Sequence, residues 1–492
     1  MTIPNIHESI GQIQSIAVIG AGAAGASVIK ALMSENKFLQ IQGFEKRSTF
    51  GGLWNHSTIT DSSIIPIPSE SPSIDLQPVK TPADEYIYPT AVYDDLDTNV
   101  PKDIMSYGGL EFREELPIFP DRRDVLEYIN EYSEEILPYV RFNTKVVSVE
   151  QVEEYKWKVV SRPINDSTQG GKLDQEDLCE VYDAVVLAAG NYEVPYIPDR
   201  PGLEEWNQSF PGSVTHVKSY RNPGQFANVT GEIIIVGNSA SAGDLAYQLV
   251  SELKRPVYKS RRSETLLPAG KSDLITEVAD IKCFNPDEKS IELVDGKIIS
   301  NVGAVVFCTG YIKSFPFFKP NPAYPLLTDG HKVHGTYNHV ILYHYPNLAI
   351  IGLPKFVLPM RTNETQACWL AKVWAGKVKL PSLEAMSQWE SDRTSRMNDR
   401  YFHNLIFPED VQYCNGLIDQ IVKSGGKGLM PHEWNKEQTS VRGNMKKIKE
   451  AYIEYRAKTG KRASSYEELV EAGVLDTVML SDDTLKEFGF TF

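Results

Sequence analysis

SIAVIGAGAAGASVIKAL, residues 15–32, runs from an apolar stretch directly into a helical pattern, and Gly20, Gly22 and Gly25 sit at the join, with Ala24 inside the same turn. This is the GxGxxG spacing of a βαβ unit. The first glycine permits the tight turn, the second lets a diphosphate approach the backbone, and the third lets helix and strand pack closely. The helix N-terminus adds free N–H groups and a partial positive charge for the phosphates. Glycines also mark plain turns, but here both flanking elements are present. IQGFEKR (41–47) supplies a second strand carrying Glu45, about twenty residues past the last glycine, where a carboxylate accepts a ribose hydroxyl. The same charge repels a 2′-phosphate, so this site prefers FAD or NAD to NADP. In GGLWN (51–55), Gly52, Leu53 and Trp54 form a turn that either presses backbone and an indole against a flat ring or ends in a core tryptophan.

The plan recurs in GEIIIVGNSASAGDLAYQLV (231–250), where Gly237 is kept and Ser239 and Ala242 replace the second and third glycines. Small residues still allow close approach, and the hydroxyls of Ser239 and Ser241 can donate to phosphate oxygens. RPVYKSRR (255–262) then ends a strand on Arg261 and Arg262, where the first site has its glutamate. A guanidinium clamps a 2′-phosphate through paired, charge-assisted hydrogen bonds. One chain therefore carries two dinucleotide sites of opposite preference, read as FAD in the first and NADPH in the second. Electron transfer from nicotinamide to flavin follows.

The rest of the chain fits around these two loops. At 492 residues it exceeds one compact core, and at 41% hydrophobic it can bury a sizeable interior. The expected class is α/β, with two Rossmann-like dinucleotide-binding domains and the NADPH domain inserted into the FAD domain. YDAVVLAAGNYEVPYIP (182–198) and GAVVFCTGYIKSFPF (303–317) are the two crossings. The boundaries are FAD domain 1–190, NADPH domain 191–317, FAD domain resumed 318–455, and a helical extension 456–492. NLAIIGLP (347–354) closes the FAD domain and TQACWLAKVWAGKVKLP is its helix. Residues 57–89 read as a Ser/Pro-rich surface excursion, and 163–177 as a hairpin tip.

A net charge of −15 argues against nucleic acid or an anionic membrane as partner. No apolar run is long enough to span a bilayer, and MTIPNIHESIGQ lacks the features of a signal peptide. The five cysteines are scattered and the nine histidines show no ligand spacing, so no metal site is expected and a reducing, cytoplasmic setting is. Cys308 reads as a buried core thiol.

Taken in order, the motifs resemble the flavin-containing monooxygenases, in particular their soluble fungal-type members. They are GAGAAG (20–25), FEKR (44–47), GGLWN, VYDDLDTNVPKDIMSY (92–107), GNYEVPYIP (190–198), VGNSASAGDL (236–245), FCTGY (307–311) and the TQA near 366. The most specific is FPGSVTHVKSYR (210–221), which meets the family pattern F-x-G-x-x-x-H-x-x-x-Y-[KR] at every fixed position. The resemblance covers roughly residues 14–455 and leaves the last stretch without a counterpart. It implies that NADPH reduces FAD, that O2 adds at flavin C(4a), and that bound NADP⁺ shields the resulting hydroperoxide. A small sulfur or nitrogen nucleophile then takes the oxygen. The cofactor carries the chemistry, so no acid–base dyad is required.

By the same match Asn99 is the active-site asparagine facing flavin and nicotinamide, and Glu45 holds the FAD ribose. Leu53 and Trp54 line the flavin, Gln366 lies near the ring, and Val146 takes the adenine through its backbone. Lys46, Gly52 and Tyr192 count among the cofactor-binding positions. His216 invites a catalytic role but reads as structural. Partners are O2 and a small nucleophile, and self-association is left open. Tyr220-Arg221 argues against a Baeyer–Villiger enzyme, whose related motif ends in Trp-Pro or Trp-Asp. The absence of a cysteine pair argues against a disulfide reductase, and the intact GxGxxG, GGLW and Asn99 against a nucleotide-sensing scaffold. S-oxygenation and N-oxygenation, including natural-product N-hydroxylation, stay open.

Overall fold

A computed structural model of the chain describes residues 10, 12–82, 86–153, 155–164, 176–264 and 270–492. Most of the expected hairpin tip, 165–175, lies outside the described residues.

The chain begins with β1 (Ser15–Ile19), α1 (Ala23–Ser34) and β2 (Gln40–Phe44), and β3 (Ala184–Leu187) joins β1 on its other side, all three parallel. Helices cover both faces of such a sheet, so its strands are apolar throughout rather than alternating; all of β3 is buried. The chain then leaves for a second, five-stranded parallel sheet containing β4 (Glu232–Val236), α2 (Ala240–Leu253), β5 (Val257–Ser260) and β6 (Val302–Phe307). It returns as β7 (Tyr345–Ile350), which pairs parallel with β3 and completes a seven-stranded sheet. One Rossmann-type unit is thus interrupted by another. The two crossings pair with each other, Val194–Pro195 against Tyr311–Ile312.

α3 (Pro359–Trp374) opens on a proline, whose fixed φ and missing N–H suit a first turn. It is buried from Met360 through Trp374 and shares a core cluster with α1. α4 (Lys436–Thr459) is capped by Asn435, whose side chain accepts from Gln438 N, and ends at Gly460 with φ 71°. It runs through the expected 455/456 boundary. Two short helices, Tyr466–Glu471 and Asp482–Glu487, follow and place Leu469, Leu485 and Phe490 in one cluster with Ile118, Phe119 and Tyr452.

Residues 57–89 are more than a surface excursion. Ile65 and Leu76 are buried among the core residues of the second sheet, beside Ile197, Trp206 and Ile234. Two apolar residues in a polar, proline-rich run carry no periodicity, so nothing local announces that they dock. FPGSVTHVKSYR is the edge of that second sheet: Val214–His216 pairs parallel with β6, and Val217–Ser219 is a 3-10 turn.

Candidate active and cofactor sites

Gly20 sits at φ +102°, and a Cβ there would lie 2.6 Å from the Ala188 carbonyl oxygen. A Cβ on Gly25 would overlap the Gly20 carbonyl, so helix and turn touch through glycine alone. Gly22 caps α1 with no side-chain hydrogen bond and no acidic residue in the first turn. An uncapped helix N-terminus behind a close-packed glycine turn fits a diphosphate. Gly52, at φ +51°, backs onto Gly22 so closely that a Cβ would lie 2.9 Å from the Gly22 Cα. The Gly52–Trp54 turn, with Leu53 and Trp54 half-buried, is thereby set against the first loop, and Asn55 Nδ2 pins it by donating to Phe50 O at 2.8 Å. Gly25→Ala should cost roughly 1–3 kcal/mol through overpacking and release flavin; the bound-FAD ratio of purified protein checks this.

Glu45 is buried and braces the loop itself. Its Oε2 accepts from Ala21 N at 2.8 Å and its Oε1 from Arg47 N at 2.9 Å. Each oxygen keeps room for a second donor. Thr144 N donates to Glu45 O at 2.9 Å, which brings in the strand bearing buried Val146, and the ladder shifts register between Val146 and Ser148. Lys46 is already engaged, 2.9 Å from Glu193 and 4.2 Å over the Tyr88 ring.

At the second loop Gly237 has φ +129°, and a Cβ would lie 2.5 Å from the Cys308 carbonyl oxygen. Ser239 occupies the N-cap of α2 without using its hydroxyl as a cap; its Oγ lies 3.3 Å from that of Ser241. These residues open onto a cleft of about 700 Å³ at the carboxyl ends of the strands, lined by Gly237, Ser239, Arg200, Arg262, Asp280, Thr309 and Gly310. Arg396, Asn398 and Tyr401 also line it. The two expected arginines separate here. Arg261 turns onto Glu277 at 2.8 Å, while Arg262 lines the cleft with its Nε 3.9 Å from Asp280. Arg200, 3.3 Å from the same Asp280, stands beside it. The sequence carried one weak sign of Arg200, a cation held between prolines just after the first crossing, and none of Arg396.

Asn99 is half-buried, and its amide makes no hydrogen bond to a described residue. Gln366 is fully buried with both amide ends engaged: Oε1 accepts from Gly352 N at 3.0 Å and Nε2 donates to Tyr413 Oη at 2.9 Å. It positions the turn after β7. Asn191 also reaches that turn by donating to the Gly352 carbonyl, a contact no local signal announces. Tyr192 is 50% exposed and meets Tyr311 edge-to-face at 5.2 Å.

In FPGSVTHVKSYR, Arg221 and His216 hold backbone. Arg221 donates to the carbonyls of Ser57, Ile59, Thr90, Lys218 and Tyr220. His216 accepts from Lys218 N through Nδ1 at 3.1 Å. Burial pushes its imidazole down to about 3, so it stays neutral at neutral pH. The unfolded chain takes up this proton below pH 6.5 while the native protein refuses it down to about 3, so stability falls on acidification across that window. At pH 5 the loss is about 2 kcal/mol. His216→Asn, whose Oδ1 can replace Nδ1 as acceptor, should flatten that slope in melting measurements from pH 7 to 4.5. Cys308 is buried, and burial raises its thiol.

Among the described residues no group of His, Cys, Asp and Glu is placed to hold a metal ion, and no helix is long and apolar enough to cross a membrane. The flavin-binding monooxygenase-like family model matches residues 87–274 and 269–424. A flavin-containing monooxygenase of Arabidopsis thaliana, FMO GS-OX5, is 31% identical over 439 residues, 86% of this chain and 88% of that one. The thiol-specific monooxygenase of Saccharomyces cerevisiae is 27% identical over 449 residues, 87% of this chain and 90% of that one. The structure of S-allyl-L-cysteine S-oxygenase from Allium sativum superposes with TM-score 0.72 at 26% identity, covering 94% of this chain and 98% of that one. Two interlocked Rossmann-type units, each with an uncapped glycine turn, and a family match over more than half of the chain, lead to one conclusion: the chain belongs to the flavin-binding monooxygenase-like family, and is an FAD- and NADPH-dependent monooxygenase.

Proposed function

We propose that the enzyme oxygenates soft sulfur, and by the same chemistry amine nitrogen, in small molecules. The observation that carries the substrate class is that relatives matched along nearly their whole length are named a thiol-specific monooxygenase and an S-oxygenase. FAD would be held along the first loop by Gly20, Gly22 and Gly25, Glu45, the Gly52–Trp54 turn and Val146. NADPH would occupy the 700 Å³ cleft, with Gly237, Ser239 and Ser241 serving the diphosphate and Arg262 the 2′-phosphate. The FAD-binding part is residues 1–190 with 318–455, and the NADPH-binding part is 191–317. The five cysteines are free thiols, which suits the cytoplasm.

Bound FAD, once reduced by NADPH, would supply the O2 chemistry, and Gly237, Ser239 and Arg262 would keep the nicotinamide cofactor in its cleft to shield the site. The protein then has to orient and to exclude water. Asn99 presents an amide that donates without a proton to lose. The balance is NADPH + H⁺ + O2 + substrate giving NADP⁺ + H2O + oxygenated substrate; without transfer the oxygen leaves as H2O2.

Arg262→Ala removes charge-assisted hydrogen bonds, so KM for NADPH should rise about 10- to 100-fold with KM for NADH little changed. Arg261→Ala should do less, because Arg261 is already paired with Glu277. The reading as a whole is tested by NADPH consumption and H2O2 release across thiols, thioethers and amines. A thiol or thioether should accelerate NADPH oxidation and suppress H2O2; if no member of the panel does either, the substrate class is wrong.

A further inference from the structure

Asn99 stands on a segment tied down on both sides by cations. Before it, Asp97 accepts from Arg456 Nη1 at 3.0 Å and from Arg462 Nη2 at 2.8 Å, and Thr98 O accepts from Lys449 Nζ at 2.6 Å. After it, Lys102 Nζ donates to Leu116 O at 2.5 Å and reaches Ser464 O at 3.4 Å. Lys449 is 4% exposed, and its ammonium lies 4.3 Å over the Phe119 ring. The acids facing it are Asp97 and, on α2 of the second sheet, Asp244, whose carboxylate also accepts from Tyr93 Oη at 2.7 Å. Lys449, Arg456, Arg462 and Ser464 all follow residue 424, where the family match ends. Burying an ammonium costs several kcal/mol unless its partners compensate. Here the ammonium donates to the carbonyl immediately preceding an asparagine whose own amide makes no hydrogen bond to a described residue.

We propose that Lys449 is a positioning residue for oxygen transfer: it holds Thr98 while Arg456 and Arg462 hold Asp97, so that α4 and the turn after it fix where the Asn99 amide is presented. The inference rests on the reading of Asn99 as the active-site amide. A side chain kept within half an ångström of its working position by surrounding contacts is worth far more than the same group left loose. Its loss shows in the partition between product and H2O2, which a strut that merely stabilises the fold does not alter.

The test uses full-length holoenzyme with a turned-over thioether, reading product against H2O2 per NADPH, with FAD content and KM for NADPH as controls. Lys449→Met, which keeps the aliphatic stem and removes the charge, should lower the product-to-H2O2 ratio about tenfold, and Lys449→Arg should recover most of it. In an Asn99→Ala background Lys449→Met should add nothing. An additive further loss overturns the proposal, as does an unchanged ratio in Lys449→Met where Asn99→Ala alone uncouples. If Asn99→Ala leaves the ratio unchanged, the reading of Asn99 itself falls and the proposal with it. Should Lys449→Met yield no holoprotein, Arg462→Gln, with a side chain 29% exposed, carries the same pair of measurements through Asp97.

Discussion

Asn99→Ala should leave the enzyme folded and flavin-loaded while product per NADPH falls roughly 100-fold or more, the scale for removing one preorganised donor, and H2O2 rises to match. The expectation follows from what the side chain does not do. Its amide makes no hydrogen bond to a described residue, so truncation breaks no hydrogen bond among them. A half-buried polar truncation of that kind changes stability by about 0.5 kcal/mol or less. Any large effect must then come from an interaction made with what occupies the site. Asn99→Asp sharpens the point: the shape is kept, but an ionised carboxylate only accepts, so it should uncouple about as severely as alanine. Product by chromatography and H2O2 by a coupled peroxidase assay, in the same reaction, decide it. Tight coupling in Asn99→Ala would remove Asn99 from the site.

The parts of this protein legible in its sequence are those with a local steric cause. Gly20 and Gly237 stand where φ is strongly positive and a carbonyl closes the space behind them, so the two turns had to be glycine wherever the strands led. The apolar runs of β1, β3, β4 and β6 follow from burial on both faces. What was not legible depends on partners far along the chain. Arg261 and Arg262 are equivalent by spacing, and only Glu277 on a neighbouring strand decides that the first is occupied and the second faces the cleft. Gln366 has the right residue type for a cofactor contact, and no spacing announces that its amide also joins Gly352 to Tyr413. Arg396 reaches the cleft from a helix whose sequence carries no nucleotide signal. The polar residues of residues 57–89 hid the fact that Ile65 and Leu76 complete the core of another domain.

Lys218→Met and Asp61→Asn should each destabilise the protein by about 3–5 kcal/mol, because each leaves one buried charge without its partner. Both side chains are 1% exposed, with Nζ and Oδ2 2.6 Å apart. Lys218 also donates to Glu193 O at 2.9 Å, and Ser219 Oγ to Asp61 Oδ1 at 3.2 Å. The pair therefore ties the proline-rich stretch to the first turn after the edge strand of the second sheet. Replacing both residues by apolar ones, Lys218→Met with Asp61→Leu, should cost clearly less than the two single losses added together, since neither charge is then stranded. Arg221→Lys belongs with the single losses despite its conserved charge, because three rotatable donors cannot serve five carbonyls held in a fixed fork. In a chain of several domains the readout is the yield of soluble holoprotein and the midpoint of thermal inactivation rather than a two-state free energy. Turnover per bound FAD in the surviving fraction separates the two roles open to the motif. If FPGSVTHVKSYR serves the fold, that turnover matches the parent while the midpoint drops; a parental midpoint with lost turnover would put chemistry into the motif.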